Sequence, residues 1–162
     1  MMNLHKLLTL QRELDARIKA EHGLHGQDLV PKKLLALQVE LAELANETRC
    51  FKFWSKKPAS GLDIILEEYV DVLHFALSLA LELGYTDLQP AAAAPADSVT
   101  ASFLELMDRS SRLAATRAQG DLEALLAGLL GLGGQLGLQA GDIEAAYLAK
   151  NEVNHQRQAQ GY

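Results

Sequence analysis

Proline and glycine decide what this chain can fold into. Breaks fall at His22-Gly-Leu-His-Gly ahead of Pro31, at Lys56-Lys57-Pro58-Ala59-Ser60-Gly61, at Gly84 and at Pro90-Ala-Ala-Ala-Ala-Pro95, and the stretches between them are of helix length. Leu7, Leu10, Leu14 and Ile18 step by three and four residues, which predicts an amphipathic helix from Leu4 to Glu21. Pro31 can open a second helix that runs from Lys32 to about Phe51. A third is expected from Ile64 to Leu83, with Gly84 as its cap. Asp97-Ser98 is a start signal, and helices are expected over 98–118, 121–138 and 142–158, separated by Gly120 and Gly141-Asp142. The residue types agree. There are 32 Leu and 24 Ala but only ten Ile and Val together and nine aromatic residues, whereas strands draw on the latter kinds. The expectation is an all-α helical bundle of five to six helices, with one domain over residues 1–162.

Several function classes drop out. A formal net charge of −6 argues against nucleic acid as the main partner. The N-terminal stretch is interrupted by Arg12, Glu13, Asp15 and Arg17, so no apolar secretory segment forms. Ala124 to Gly141 carries no charge, but its six glycines and its charged amphipathic flanks argue against a membrane span. Cys50 is the only cysteine, which excludes an internal disulfide and fits a reducing cytoplasm.

The acidic residues carry the chemistry. With about 100° per residue, Glu40, Glu43 and Glu47 share one stripe of the second helix, and Leu34, Leu41, Ala42 and Ala45 lie opposite. That helix reads as largely buried. On the third helix, Glu68 and Asp71 stand with Ile64, Val72 and Phe75 inside an apolar stripe, while Glu67 points away as a rim charge. Burying an unpaired ion costs several kcal/mol, so something must compensate. Glu40-x-x-Glu43 and Glu68-x-x-Asp71 bring four carboxylates towards one point, and oxygen donors of this kind suit Mg²⁺ or Mn²⁺. Salt-bridged, solvent-facing acids are the plain alternative. A di-iron bundle would need two Glu-x-x-His units. Asp71-Val-Leu-His74 is the only such unit near this site, and His74 lies about 60° from the Asp71 direction. It reads as a hydrogen-bonded neighbour of the site.

Positive charge lies where a polyphosphate would need it. Lys52, Lys56 and Lys57 follow the acidic helix among Phe51, Phe53 and Trp54, and Trp54 could stack on a base. Lys150, Asn154 and Arg157 share one face near the C-terminus. Divalent metal on carboxylates with Lys and Arg nearby is a polyphosphate environment.

Glu40-Leu-Ala-Glu43 followed by Glu68-Tyr-Val-Asp71 resembles the metal signature of the all-α, MazG-like NTP pyrophosphohydrolases. Val39 to Ser55, Leu66 to Phe75 and the ending Lys150 to Gln158 with Gly161-Tyr162 are similar to the dimeric, all-α dUTPase branch. The similarity runs from Leu10-Gln11 to the C-terminus and is weakest over 85–140. The resemblance implies Mg²⁺-dependent cleavage of dUTP to dUMP and pyrophosphate, with dUDP also accepted, by a homodimer. It implies metal ligation by Glu40, Glu43, Glu68 and Asp71, with Glu43 as the base for the attacking water. It also implies phosphate contacts from Lys150 and Arg157, and nucleoside contacts from Gln11, Asn154 and the region of Trp54. The apolar surface expected over 122–138 points to a homodimer as well. A broader MazG-like pyrophosphohydrolase and a non-catalytic helical binding protein remain open as alternatives.

Overall fold

A computed structural model describes residues 2–92 and 94–162. It contains α1 (Leu4–Glu21), α2 (Val30–Thr48), α3 (Leu62–Glu82), α4 (Val99–Thr116), α5 (Gln119–Gln135) and α6 (Ala140–Ala159), with no strand among the described residues. The protein is all-α. Local chemistry sets several helix ends. The Asn3 side chain accepts from the Lys6 N–H, and the Ser98 hydroxyl accepts from the Ala101 N–H. Gly84 takes φ +81°, and the N–H groups of Gly84 and Tyr85 reach back to the carbonyls of Leu81 and Ala80. That closes α3 in a left-handed cap.

Several boundaries differ from the sequence expectation, two of them at side chains that make contacts beyond their own helix. α2 stops at Thr48 and not at Phe51, because Arg49 turns left-handed at φ 57°. Its guanidinium donates to the Lys57 carbonyl at 3.0 Å and to Ser55 Oγ at 2.7 Å. α4 ends the same way at Arg117, φ 53°, whose guanidinium grips both oxygens of Asp28 at 3.1 and 2.6 Å. A left-handed residue other than glycine costs roughly 1–2 kcal/mol, which these bonds offset. Gly120 and Gly141 sit inside the first turns of α5 and α6, and Gly137, at φ 78°, makes the turn between them.

α3 is the centre of the bundle and packs against α1, α2, α5 and α6. One hydrophobic cluster holds Leu7, Leu37, Leu73, Leu106, Leu126 and Tyr147, hence residues of all six helices. α1 and α6 are tied at both ends, Asn3 N–H to Glu144 at 2.7 Å and His22 to Gln158 at 3.0 Å. The Ala/Pro linker, apart from Ala93, which lies outside the described residues, is stitched to α5. Gln135 donates to the Ala96 carbonyl at 2.7 Å, and the Gln89 N–H donates to Glu123 at 3.0 Å.

Two expectations about apolar surface are corrected. α2 is not buried around most of its circumference: Leu35 (63%) and Val39 (48%) face solvent beside Ala42. The leucine-rich α5, in contrast, is covered by its own chain, with Leu122, Leu125, Leu126, Leu129 and Leu132 all in the core. Tertiary packing used the apolar residues of α5 and left a stripe of α2 free. Among the described residues, no single helix is long and apolar enough to cross a membrane.

α5 approaches α3 most closely at Gly133. A Cβ there would stand 2.8 Å from the Tyr69 hydroxyl and 3.0 Å from its ring. The fully buried Tyr69 cannot swing aside, because its hydroxyl donates to the Leu129 carbonyl at 2.9 Å. Gly134, next in sequence, faces open space. Overpacking costs roughly 1–3 kcal/mol, whereas Gly→Ala in an open helical position gains about 0.4–1 kcal/mol. Gly133→Ala should therefore lower the melting temperature by several degrees, and Gly134→Ala should hold or raise it. Equal shifts in calorimetry would mean that the helices do not meet at Gly133.

Candidate active site

The extensive α2–α3 packing sets two acidic faces side by side. Oxygens of Glu40, Glu68 and Asp71 all lie within 4.8 Å of one another. Divalent cations bind oxygen at about 2.0–2.6 Å, so one ion can span three oxygens at that separation. The donor set is carboxylate only, and His74 stands outside it, as its angular position on α3 indicates. Glu43 is exposed on the rim beside Glu40.

The electrostatics show the strain of this arrangement. Burial, the hydrogen bond with Glu43 and the charges of Asp71, Glu43 and Glu68 push Glu40 up to about 7. Burial and the charges of Asp71, Glu43, Glu47 and Glu67 likewise raise Glu68. Asp71 is raised by burial even though Lys150 opposes the shift. Lys150 Nζ donates to Asp71 at 2.9 Å and to Glu67 at 3.2 Å, and these bonds outweigh burial to raise its own pKa. One lysine is shared among several acids. The donor chemistry and the shortage of positive charge both fit a divalent cation.

These residues line one wall of a cleft of about 560 Å³, within the usual range for small-molecule sites. Lys150, Asn154 and Arg157, on successive turns of α6, line the opposite wall. Tyr162 follows Gly161 at φ 77°, and its ring lies 5.4 Å from the Arg157 guanidinium. Ile18, Leu29, Ala36 and Phe75 give the cleft an apolar portion. Beyond it the polar residues are Asp15, Lys33, Ser78 and His74. Lys33 bonds Glu82 at 2.9 Å and Asp15 at 3.4 Å.

The structure thus brings together Glu40, Glu43, Glu68, Asp71, Lys150, Asn154 and Arg157. Three sequence candidates fall outside the cleft wall. Gln11 is completely buried behind it. Trp54 is 64% exposed in the turn after α2, edge-on to Phe53, and Lys56 is exposed in the same segment. Both lie in the segment that follows the left-handed turn at Arg49, outside the cleft lining. Sequence reasoning missed Asp15, Lys33 and Ser78. The signal was Gln11 itself, a polar residue within the stripe of Leu7, Leu14 and Ile18, one helical turn before Asp15.

The sequence model described as dUTPase matches residues 3–162. The chain belongs to the dUTPase family. No curated protein matches it significantly. Membership spans essentially the whole chain and makes the protein an enzyme, a dUTP diphosphatase, with a nucleotide as substrate. The six-helix bundle is the all-α form of this family. Family members generally work with divalent metal, and the acidic cluster of this dUTPase is where one fits.

The clustered acids make a pH prediction for the metal-free protein. Glu40 has a folded-state pKa of about 7 against an ordinary value of 4.5. Between those values the folded state holds more protons than the unfolded one, so stability falls as pH rises through that window. In chelator, the melting temperature should drop between about pH 5 and pH 8. Glu40→Gln should flatten that drop and melt higher at the upper end. A variant that follows the wild-type profile would show that the carboxylates do not repel one another.

Proposed function

We propose that this cleft cleaves dUTP to dUMP and pyrophosphate, and dUDP to dUMP and phosphate, with the help of a divalent cation. The observation that carries the reading is the convergence of Glu40, Glu68 and Asp71 opposite Lys150, Asn154 and Arg157. Glu40, Glu68 and Asp71 would hold Mg²⁺, or Mn²⁺ in its place, and Glu43 completes the ligand set from the rim. Bound there, the cation would offset phosphate charge, polarise the phosphoryl oxygens and acidify water. Glu43, exposed and next to Glu40, is placed to take the proton of the attacking water. Lys150 exchanges Asp71 for a phosphate oxygen, and Arg157 meets the outer phosphates. Asn154, between them on α6, contacts the nucleotide. The apolar portion at Ile18, Ala36 and Phe75 receives the base. Trp54 and Lys56 keep a role in nucleotide binding only if a second chain brings them to the cleft.

The reading is tested with dUTP, dUDP, dTTP and dCTP plus Mg²⁺, scored for pyrophosphate or phosphate. A methyl-sized difference is worth roughly 10–200-fold, so dUTP should lead dTTP by at least the lower figure. Glu43→Gln should lose about 10²–10⁴-fold in turnover, the usual effect of removing a general base, yet keep part of the Mg²⁺-induced rise in melting temperature. Asp71→Asn should lose turnover and that rise together. Equal use of dUTP and dTTP would favour a broader nucleotide pyrophosphohydrolase, and full Mg²⁺ stabilisation of Asp71→Asn would remove the metal site.

The unit proposed is one domain over 1–162, acting as a homodimer in the cytoplasm, with neither nucleic acid nor a membrane as partner. The covered surface would be the stripe of Leu35 and Val39 together with Phe53 and Trp54, all strongly exposed in one chain, in place of α5. Light scattering at micromolar concentration should give the mass of two chains, and Leu35→Lys with Val39→Glu should give one. A fully active wild-type monomer would end the dimer proposal, and cell fractionation checks the compartment.

A further inference from the structure

Lys150 reaches from α6 to two successive turns of α3. Its Nζ donates to Asp71 Oδ2 at 2.9 Å and to Glu67 Oε1 at 3.2 Å. The two carboxylates differ in kind. Asp71 converges with Glu40 and Glu68 and lines the cleft. Glu67 belongs to neither group, and its side chain is 65% exposed. Lys150 is the only partner of that side chain among the described residues. The lysine side chain itself is only 15% exposed, so the ammonium sits at the end of a largely covered stem.

A divalent cation at the cluster would set two demands on Lys150 that conflict. The ammonium and the cation seek the same Asp71 oxygens, and their like charges repel. Held by Asp71 alone, Lys150 would either compete with the cation or swing out to water and be lost to a phosphate. Glu67 offers a third course. It can keep the ammonium in the cleft wall after Asp71 turns to the cation. An ammonium has three hydrogens, so one bond to Glu67 leaves two for phosphate oxygens.

We propose that Glu67 is a positioning residue that tethers Lys150 beside the cluster, so that the ammonium yields Asp71 to the cation and stays aimed at the polyphosphate. The inference rests on the cleft being the dUTP site, and it extends that site to a residue that touches neither cation nor nucleotide. The negative charge at position 67 is what matters. A neutral amide there would leave Asp71 as the one carboxylate that Lys150 bonds, and the lysine would then oppose the cation more strongly. Glu67 thus acts on both ligands through Lys150.

The test reads Mg²⁺ binding by titration calorimetry, with no nucleotide present. Glu67→Gln should raise the Mg²⁺ dissociation constant roughly threefold or more, the scale of a partly exposed ion pair. Losing any acid also weakens the field at the site, and Lys150→Met separates the two effects. Lys150→Met should bind Mg²⁺ more tightly than the wild type. Adding Glu67→Gln to it should leave the constant within about twofold, the ordinary scatter of uncoupled changes. Glu47→Gln is a second control, because its charge acts on Glu68 ahead of that of Glu67, yet its side chain is bonded to Ser60 and not to a lysine. It should shift the constant less than Glu67→Gln does. With dUTP and saturating Mg²⁺, Glu67→Gln should raise KM more than it lowers kcat. Equal effects of Glu67→Gln with and without Lys150 overturn the tether. So does a shift no larger than that of Glu47→Gln, and this comparison decides even if Lys150→Met does not fold. An unchanged KM overturns the aiming of Lys150 at phosphate. Full Mg²⁺ stabilisation of Asp71→Asn would strike the cleft reading instead, and a wild type that binds no Mg²⁺ overturns both. The tether fails alone when Asp71→Asn loses that stabilisation and Glu67→Gln departs from the pattern.

Discussion

Three carboxylates that repel one another are held together in one wall, and much of the remaining structure serves to keep them there. Glu40 on α2 and Glu68 and Asp71 on α3 would move apart if only their charges acted. The packing of α2 on α3, with Leu34, Leu37, Leu41, Leu44, Ile65, Val72, Leu73 and Ala76 all in one hydrophobic cluster, opposes that. Removing one such leucine side chain costs roughly 2–5 kcal/mol, while a like-charge contact near the surface costs less. The leucines win, and the repulsion stays stored in the folded state. The strength of the core behind it is what holds an acidic site of this kind together against that repulsion. Its incomplete neutralisation by Lys150 is also what leaves it receptive to a cation and a polyphosphate.

The other end of the cleft solves the opposite problem. Asp15, Lys33, Glu82 and Lys19 alternate in sign along one chain of contacts, so their charges compensate without any ligand. The hydrogen bonds of Lys19 and Lys33 hold Glu82 below the ordinary carboxylate range, although burial acts the other way. That end is self-sufficient and therefore rigid. Asp15 also accepts from the buried Gln11 amide, which reaches His74 at 3.3 Å. The cleft thus joins an acidic end that lacks compensation to an end whose charges are already paired.

The parts of this design that depend on helical period were legible in the sequence. Leu7, Leu14 and Ile18 define α1 to the residue, and the angular positions of Glu40, Glu68 and Asp71 predict a shared wall. The parts that depend on contacts between distant residues were not legible. Nothing near Arg49 or Arg117 signals a left-handed turn. Those conformations are held by Ser55, Lys57 and Asp28, the last of them 89 positions away from Arg117. Trp54 and Lys56 follow that early end of α2 and do not line the cleft. Period also shows which residues share a face, but not which face finds a partner. Apolar residues occur on α2 and α5 alike, and only the packing of α4 on α5 decides that α5 is covered while Leu35 and Val39 are not.

The same distinction explains why the middle of the chain can look so unlike the rest. None of the residues that line the cleft comes from α4, α5 or the linker before them; the walls are built by α1, α2, α3 and α6 and the segments next to them. α4 and α5 pack on the far side, against α2 and α3, and their task is to fill volume behind Tyr69 and keep α3 in line. A brace needs size and shape complementarity and little else, which a run of leucine and glycine supplies where Gly133 admits the Tyr69 ring. Residues 85–140, over which the resemblance was expected to be weakest, supply none of the residues that line the cleft. Their hold on the site is mechanical, exerted on Glu68 and Asp71 through the helix those residues share with Tyr69.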